Sequence, residues 1–189
     1  MTKPLILALD LATLSGFAIG RIGERPDFGT WKLKSTEDDA DRAFRNLTCK
    51  IRDIIGVYGV PDFCVYEAPI SPGALRQEPV SFEGSAVTAV KQVRRTNAKT
   101  TYLLVGLAAV AAGVPGAWGV SPKRVHVATA RKSFLGTGRP PDPKMAVIRQ
   151  CRLLGFDVLD DNAADALALW HHEAGYVHGQ SLLERVANV

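Results

Sequence analysis

Cysteine and histidine are scarce in this chain, with three and four among 189 residues. Cys49, Cys64 and Cys151 are odd in number and far apart, so they form neither a zinc-ligand spacing nor a disulfide framework. They are expected as reduced core residues. No Cys–His or Ser–His–Asp arrangement stands out, and no Walker-type phosphate loop is present. His171 and His172 are neighbours on a helix and cannot share a face, which argues against paired histidine ligation. The longest apolar run, Tyr102 to Ala112, is short for a bilayer span, and the N-terminus lacks the pattern of a secretory signal. There is no internal repeat and no low-complexity tract. A soluble, cytoplasmic domain with no membrane role is expected.

What remains is an ordinary globular composition, 47% hydrophobic and 22% charged, expected to fold as one domain over residues 1–189. The net charge of +4 suits a polyanionic partner without requiring one. Leu5 to Asp10 reads as a central strand, and Phe17 to Arg21 and Gly29 to Leu33 as its antiparallel neighbours. Ser35 to Asp38 would cap a helix reaching Tyr58, with Ala43, Leu47, Ile51, Ile54 and Ile55 on its buried face. Asp62 to Glu67 is the next strand, followed by a loop to about Pro79. Helices are expected over Phe82–Arg95 and Thr100–Ala112, the second stopped by Gly113 to Gly116. Val125 to Ala128 reads as a strand with His126 packed inside it. Thr129 would cap a helix, and further helices cover Lys144–Leu154 and Asn162–Tyr176. Strands first and then strands alternating with helices give an α/β domain with a mixed sheet.

Four acidic positions each stand at the edge of an apolar run. Asp10 closes Leu5 to Leu9, Glu67 closes Phe63 to Tyr66, and Asp161 and Asp165 border Ala166 to Trp170. A carboxylate there is costly without a positive neighbour, and several converging repel one another, for which a bound divalent cation is the usual remedy. At the start of the last helix, Asp161 or Asn162 shares a face with Asp165. Asp160 is expected to be solvated, with Asp161 free to serve as the helix cap.

The runs Leu7-Ala8-Leu9-Asp10 with Ser15-Gly16-Phe17-Ala18-Ile19, Val65-Tyr66-Glu67-Ala68-Pro69, and Asn162-Ala163-Ala164-Asp165-Ala166-Leu167-Ala168 carry a resemblance. In order and spacing the chain resembles the RuvC family of Holliday-junction resolvases, in the RNase H-like superfamily, as a divergent, phage-like branch. The resemblance implies a mixed five-stranded sheet, three antiparallel strands and then parallel ones, flanked by helices. It implies two Mg2+ ions per site, with Mn2+ as a substitute, held by Asp10, Glu67 and Asp165. The fourth family acid falls on Asn162, so Asp161 one residue earlier, or the Asn162 carbonyl, would complete the set. Asp10, Glu67, Asp161 and Asp165 would then catalyse phosphodiester hydrolysis leaving a 5′-phosphate. The implied partner is branched DNA, a four-way junction, and the implied assembly a homodimer through the Phe82–Arg95 segment. Lys91, Arg94, Arg95, Arg131, Lys132, Arg139 and Lys144 are candidate phosphate contacts. Arg76 and Phe82 are candidates to wedge the junction. A nuclease of the same fold acting on RNA or other branched DNA remains an alternative, as does a junction-binding module whose metal site has degraded at Asn162.

Overall fold

The structure is a computed structural model that describes residues 3–69, 75–81, 88–94, 96–137 and 140–187, with backbone alone over 75–81, 88–94 and 180–187. Strand β1 (Leu5–Asp10) is buried at every residue, as its unbroken apolar run requires of a central strand. Strands β2 (Leu14–Arg21) and β3 (Asp27–Lys32) follow as an antiparallel meander. Helix α1 (Ala40–Tyr58) leads to β4 (Phe63–Glu67), which pairs parallel to β1. Helix α2 (Ala98–Gly116) and the short strand β7 (Lys123–Val125) complete the main sheet, whose order is β3-β2-β1-β4-β7. Helices α3 (Val127–Leu135), α4 (Pro143–Leu153) and α5 (Asp161–Ala187) close the domain. This is the five-stranded mixed sheet that the resemblance implied.

Strand alternation divides the core in two. Leu5, Leu7 and Leu9 of β1, with Cys64 and Tyr66 of β4, pack with α1 and α2. Ile6 and Ala8, with Val65, pack on the other side with α3, α4 and α5. By the same alternation, Asp10 and Glu67 belong to the α5 side of the sheet.

Helix α1 begins later than its capping residues suggested. Asp39 is the N-cap, accepting from the Arg42 amide at 3.0 Å, while Asp38 accepts from the Ser35 amide in a preceding turn. Helix α2 runs through Gly113 and holds Pro115 in its last turn, and Gly119 at φ 80° turns the chain away. At nineteen residues it is long and apolar enough to cross a membrane by length and composition, longer than the run Tyr102–Ala112 suggested. Its Leu107, Ala108 and Ala111 nevertheless pack in the α1-side core.

The largest departure follows β4. In place of a loop through Pro79 and a helix over 82–95, strands β5 (Leu75–Ser81) and β6 (Thr88–Arg94) form a separate antiparallel pair. Thr88, Val90 and Val93 are β-branched and favour extended backbone. Pro79 is tolerated because in a two-stranded sheet each strand is an edge. Phe82 lies outside the described residues. Smaller corrections concern Cys49, which is exposed between Thr48 and Lys50, and His126, which takes the N-cap position of α3 in place of Thr129 and ends the strand at Val125.

Candidate active site

Two parallel neighbouring strands end together at this site. Leu9 of β1 lies opposite Tyr66 of β4, so the next residues, Asp10 and Glu67, emerge side by side at the carboxyl ends of the strands. Asp10 is 7% exposed and Glu67 half-buried. Burial, a hydrogen bond with Glu67, and the charges of Glu67 and Asp165 push the Asp10 carboxyl well above the usual range, against the pull of Arg131.

The first turn of α5 supplies the facing acids. Its cap is Asp160, not Asp161: the Asp160 Oδ1 accepts from the Ala163 amide at 2.9 Å and from Thr30 Oγ1 at 2.7 Å. Asp160 is therefore engaged rather than solvated, and it pins α5 to β3. Asp161 is left free of capping and pairs with Lys144 of α4, which holds its carboxyl below the ordinary range. One turn on, Asp165 accepts both forks of Arg131 from α3, at 2.9 Å from Nη2 and 3.3 Å from Nε. Burial still raises the Asp165 carboxyl, aided by Glu67 and Asp161 and opposed by Arg131.

Helix α5 reaches the sheet because Gly16 has no side chain. An ideal Cβ there would lie 1.9 Å from the Asn162 carbonyl oxygen. Gly16 pairs with Asp10 across β1 and β2, so the one residue that admits the helix sits beside the buried acid. Glycine inside a strand commonly marks such a close approach, a signal legible in the sequence. Gly16→Ala is expected to push the first turn of α5 outward and cost about 1–3 kcal/mol, as overpacking does. Urea denaturation measures that loss, and an unchanged midpoint would show the helix free to shift.

Asp10, Glu67, Asp161 and Asp165 thus converge from β1, β4 and α5. Asn162 lies among them, its backbone against Gly16 and its side chain without a hydrogen-bond partner among the described residues. As they lie, no three of the described acidic, histidine or cysteine side chains are grouped closely enough to hold one metal ion. Arg131 and Lys144, expected as phosphate contacts, pair here with Asp165 and Asp161 of the acidic cluster. That pairing between separate helices had no local signal in the sequence. Lys132 is exposed in the last turn of α3. Arg76, Lys91 and Arg94 fall on β5 and β6, with Arg76 opposite Val93 and Lys91 opposite Glu78. Arg95 and Arg139 lie outside the described residues. His171 stands away from the acids, its ring among Phe134, Phe156 and Trp170, and burial lowers its pKa.

Beside Glu67 a small cavity of about 80 Å³ is lined by Leu11, Ala68, Pro69 and Leu104. A larger hollow of about 320 Å³ begins at Thr13, in the turn after Asp10, and is lined in part by Lys34, Lys99 and Thr100.

No protein-family model matches the chain, and no curated protein matches it in sequence. Solved structures do match it in shape. Thermus thermophilus RuvC superposes with a TM-score of 0.62 at 15% identity, covering 93% of this chain and 96% of that one. T. thermophilus RuvC in complex with a Holliday junction substrate gives 0.65 at 13% identity, covering 93% and 95%. Over nearly its whole length, and with little sequence in common, the chain has the RNase H-like fold of RuvC.

Proposed function

We propose that the chain is a metal-dependent endonuclease that resolves four-way DNA junctions. The observation that carries this is the placement of Asp10 and Glu67 side by side at the ends of β1 and β4, facing Asp165 on α5. The likeness to a RuvC structure holding a Holliday junction supports the choice of substrate. The donor set fits a divalent cation in its chemistry: hard carboxylate oxygens, crowded and partly buried, with raised proton affinity on Asp10 and Asp165. Asp10, Glu67 and Asp165 would hold Mg2+ or Mn2+, joined by Asp161 or by Asn162. Bound ions of this kind activate water and stabilise the leaving oxygen in phosphodiester hydrolysis, which here would leave a 5′-phosphate. The chain's own part is to place the acids: paired strands fix Asp10 against Glu67, and the Asp160 cap with Gly16 fixes the first turn of α5.

The decisive assay is cleavage of a labelled mobile four-way junction with Mg2+, Mn2+ or EDTA, beside linear duplex, flap and RNA–DNA hybrid. Paired, metal-dependent nicks confined to the junction are expected. Preferential cutting of a control moves the activity to another branched substrate. Binding without cutting favours a junction-binding module, a reading that Asn162 and the cationic partners of Asp161 and Asp165 keep in play.

Paired nicks on a substrate of two-fold symmetry call for a two-fold dimer. Exposed Tyr102, Val105, Ala109 and Gly113 recur every three or four residues and line one face of α2, an apolar stripe suited to a second copy. This stripe replaces the 82–95 segment as the proposed interface. Val105 is 44% exposed, so Val105→Asp should leave the fold intact. It is expected to yield a monomer by light scattering, one that nicks single strands but no longer in pairs. A variant that remains dimeric would place the interface elsewhere.

A further inference from the structure

Two carboxylates of the acidic cluster already carry cationic partners supplied by the protein itself. Asp165 is covered by Arg131 and Asp161 by Lys144. Arg131 is the tighter of the two partners. Its side chain is 15% exposed against 13% for Asp165, and two of its nitrogens are spent on that one carboxylate. It is placed by the α3–α5 packing, where the adjacent Ala130 is 1% exposed in the core. Lys144 is 70% exposed and can swing into water.

We infer that Arg131 is a built-in counter-ion of the carboxylate site, whose guanidinium holds Asp165 until a divalent cation displaces it. The inference rests on the metal-dependent reading above. A fixed positive charge on a ligand carboxylate opposes a dication twice, by occupying its oxygens and by repulsion across a partly buried site. Metal affinity is therefore held down in the free protein. Any substrate phosphate that takes the guanidinium would raise it, since such coupling is reciprocal. Bidentate pairing of arginine to phosphate is geometrically natural for the freed fork.

The test is Mn2+ binding to the full chain without DNA, by isothermal titration, for wild type, Arg131→Gln and Arg131→Lys. Arg131→Gln is expected to bind Mn2+ about 5–150-fold more tightly, the usual range of coupling between sites. Arg131→Lys keeps the charge and should return most of the way to wild type. Lys144→Ala, a change at an exposed residue, guards against misfolding of the Arg131 variants and should tighten binding about two- to fivefold. Equal or weaker Mn2+ binding in folded Arg131→Gln overturns the inference and makes Arg131 an organiser of Asp165. Absence of Mn2+ binding in every protein, wild type included, instead overturns the metal-dependent reading and the inference with it.

Discussion

Asp10→Asn is expected to lower junction cleavage by roughly 10²–10³-fold or more, the scale on which loss of one charge-stabilising group acts in an active site. Junction binding should stay within a few-fold of wild type, because Asp10 is 7% exposed and its carboxyl is turned into the acidic cluster. Asparagine keeps the shape and one oxygen but removes the charge that a divalent ion needs. Single-turnover cleavage together with binding in EDTA separates the two effects. Activity within tenfold of wild type would remove Asp10 from the site, and with it the reading of the whole cluster.

The same substitution has a second expected result of opposite sign. Folding lifts the Asp10 carboxyl well above its ordinary value, first by burial and then through Glu67. Below the ordinary carboxylate range both folded and unfolded chains hold this proton, and its full contribution to stability is present. As pH rises, the unfolded chain releases the proton first, and the folded protein loses stability until pH has passed the raised value. Asp10→Asn cannot titrate. In EDTA the variant should therefore be more stable than wild type at neutral pH, with a shallower decline from acid to neutral. Urea midpoints across that range test this, and a variant less stable than wild type at neutral pH would mean that the Asp10 carboxylate is well compensated. Lost activity with gained stability is the trade expected of a strained functional site.

Much of the site was legible because β1 and β4 are apolar runs that each end in an acid. Alternation along them leaves no choice of face once Leu5, Leu7 and Leu9 are packed, and Asp10 and Glu67 follow. Asp165 was legible as an acid inside the apolar register of α5. The segment after Glu67 was not. Its Ala89, Val90 and Val93 match the spacing of a helical face as well as a strand, and so short a run does not decide between the two. Asp161 was expected to cap α5 and Asp160 to be solvated, and the structure reverses the two. The choice depended on Thr30, 130 residues away, whose hydroxyl settles on Asp160. The Arg131–Asp165 pair joins helices 34 residues apart, and its two sequence neighbourhoods contain nothing that names the partner.

Lys123→Met is expected to destabilise the fold by about 2–4 kcal/mol, through an ion pair that also had no signature in sequence. Glu173, in the middle of α5, is 2% exposed, and its Oε1 accepts from Lys123 Nζ at 2.6 Å. The lysine projects from β7, an edge strand of the main sheet, and its ammonium lies 5.4 Å from the Phe63 ring centroid and 4.5 Å from that of Tyr176. Those rings hold the cation over the one fully buried carboxylate of the described residues. The reach of that charge is felt at Cys64, whose thiol is pushed up to about 12 by burial and secondarily by Glu173. Methionine keeps the aliphatic stem but leaves Glu173 without its cation. Breaking a buried pair from one side costs about 3–5 kcal/mol, and the lower figure expected here reflects the 41% exposure of the lysine. Removing both charges, as in Lys123→Met with Glu173→Leu, should recover most of the loss, because apolar replacements of a buried pair are often neutral or stabilising. Urea denaturation of the two single variants and the double completes the cycle. A Lys123→Met loss below about 0.5 kcal/mol would class the pair with surface salt bridges. A double variant no better than the single would mean that Glu173 contributes through its packing and not through its charge.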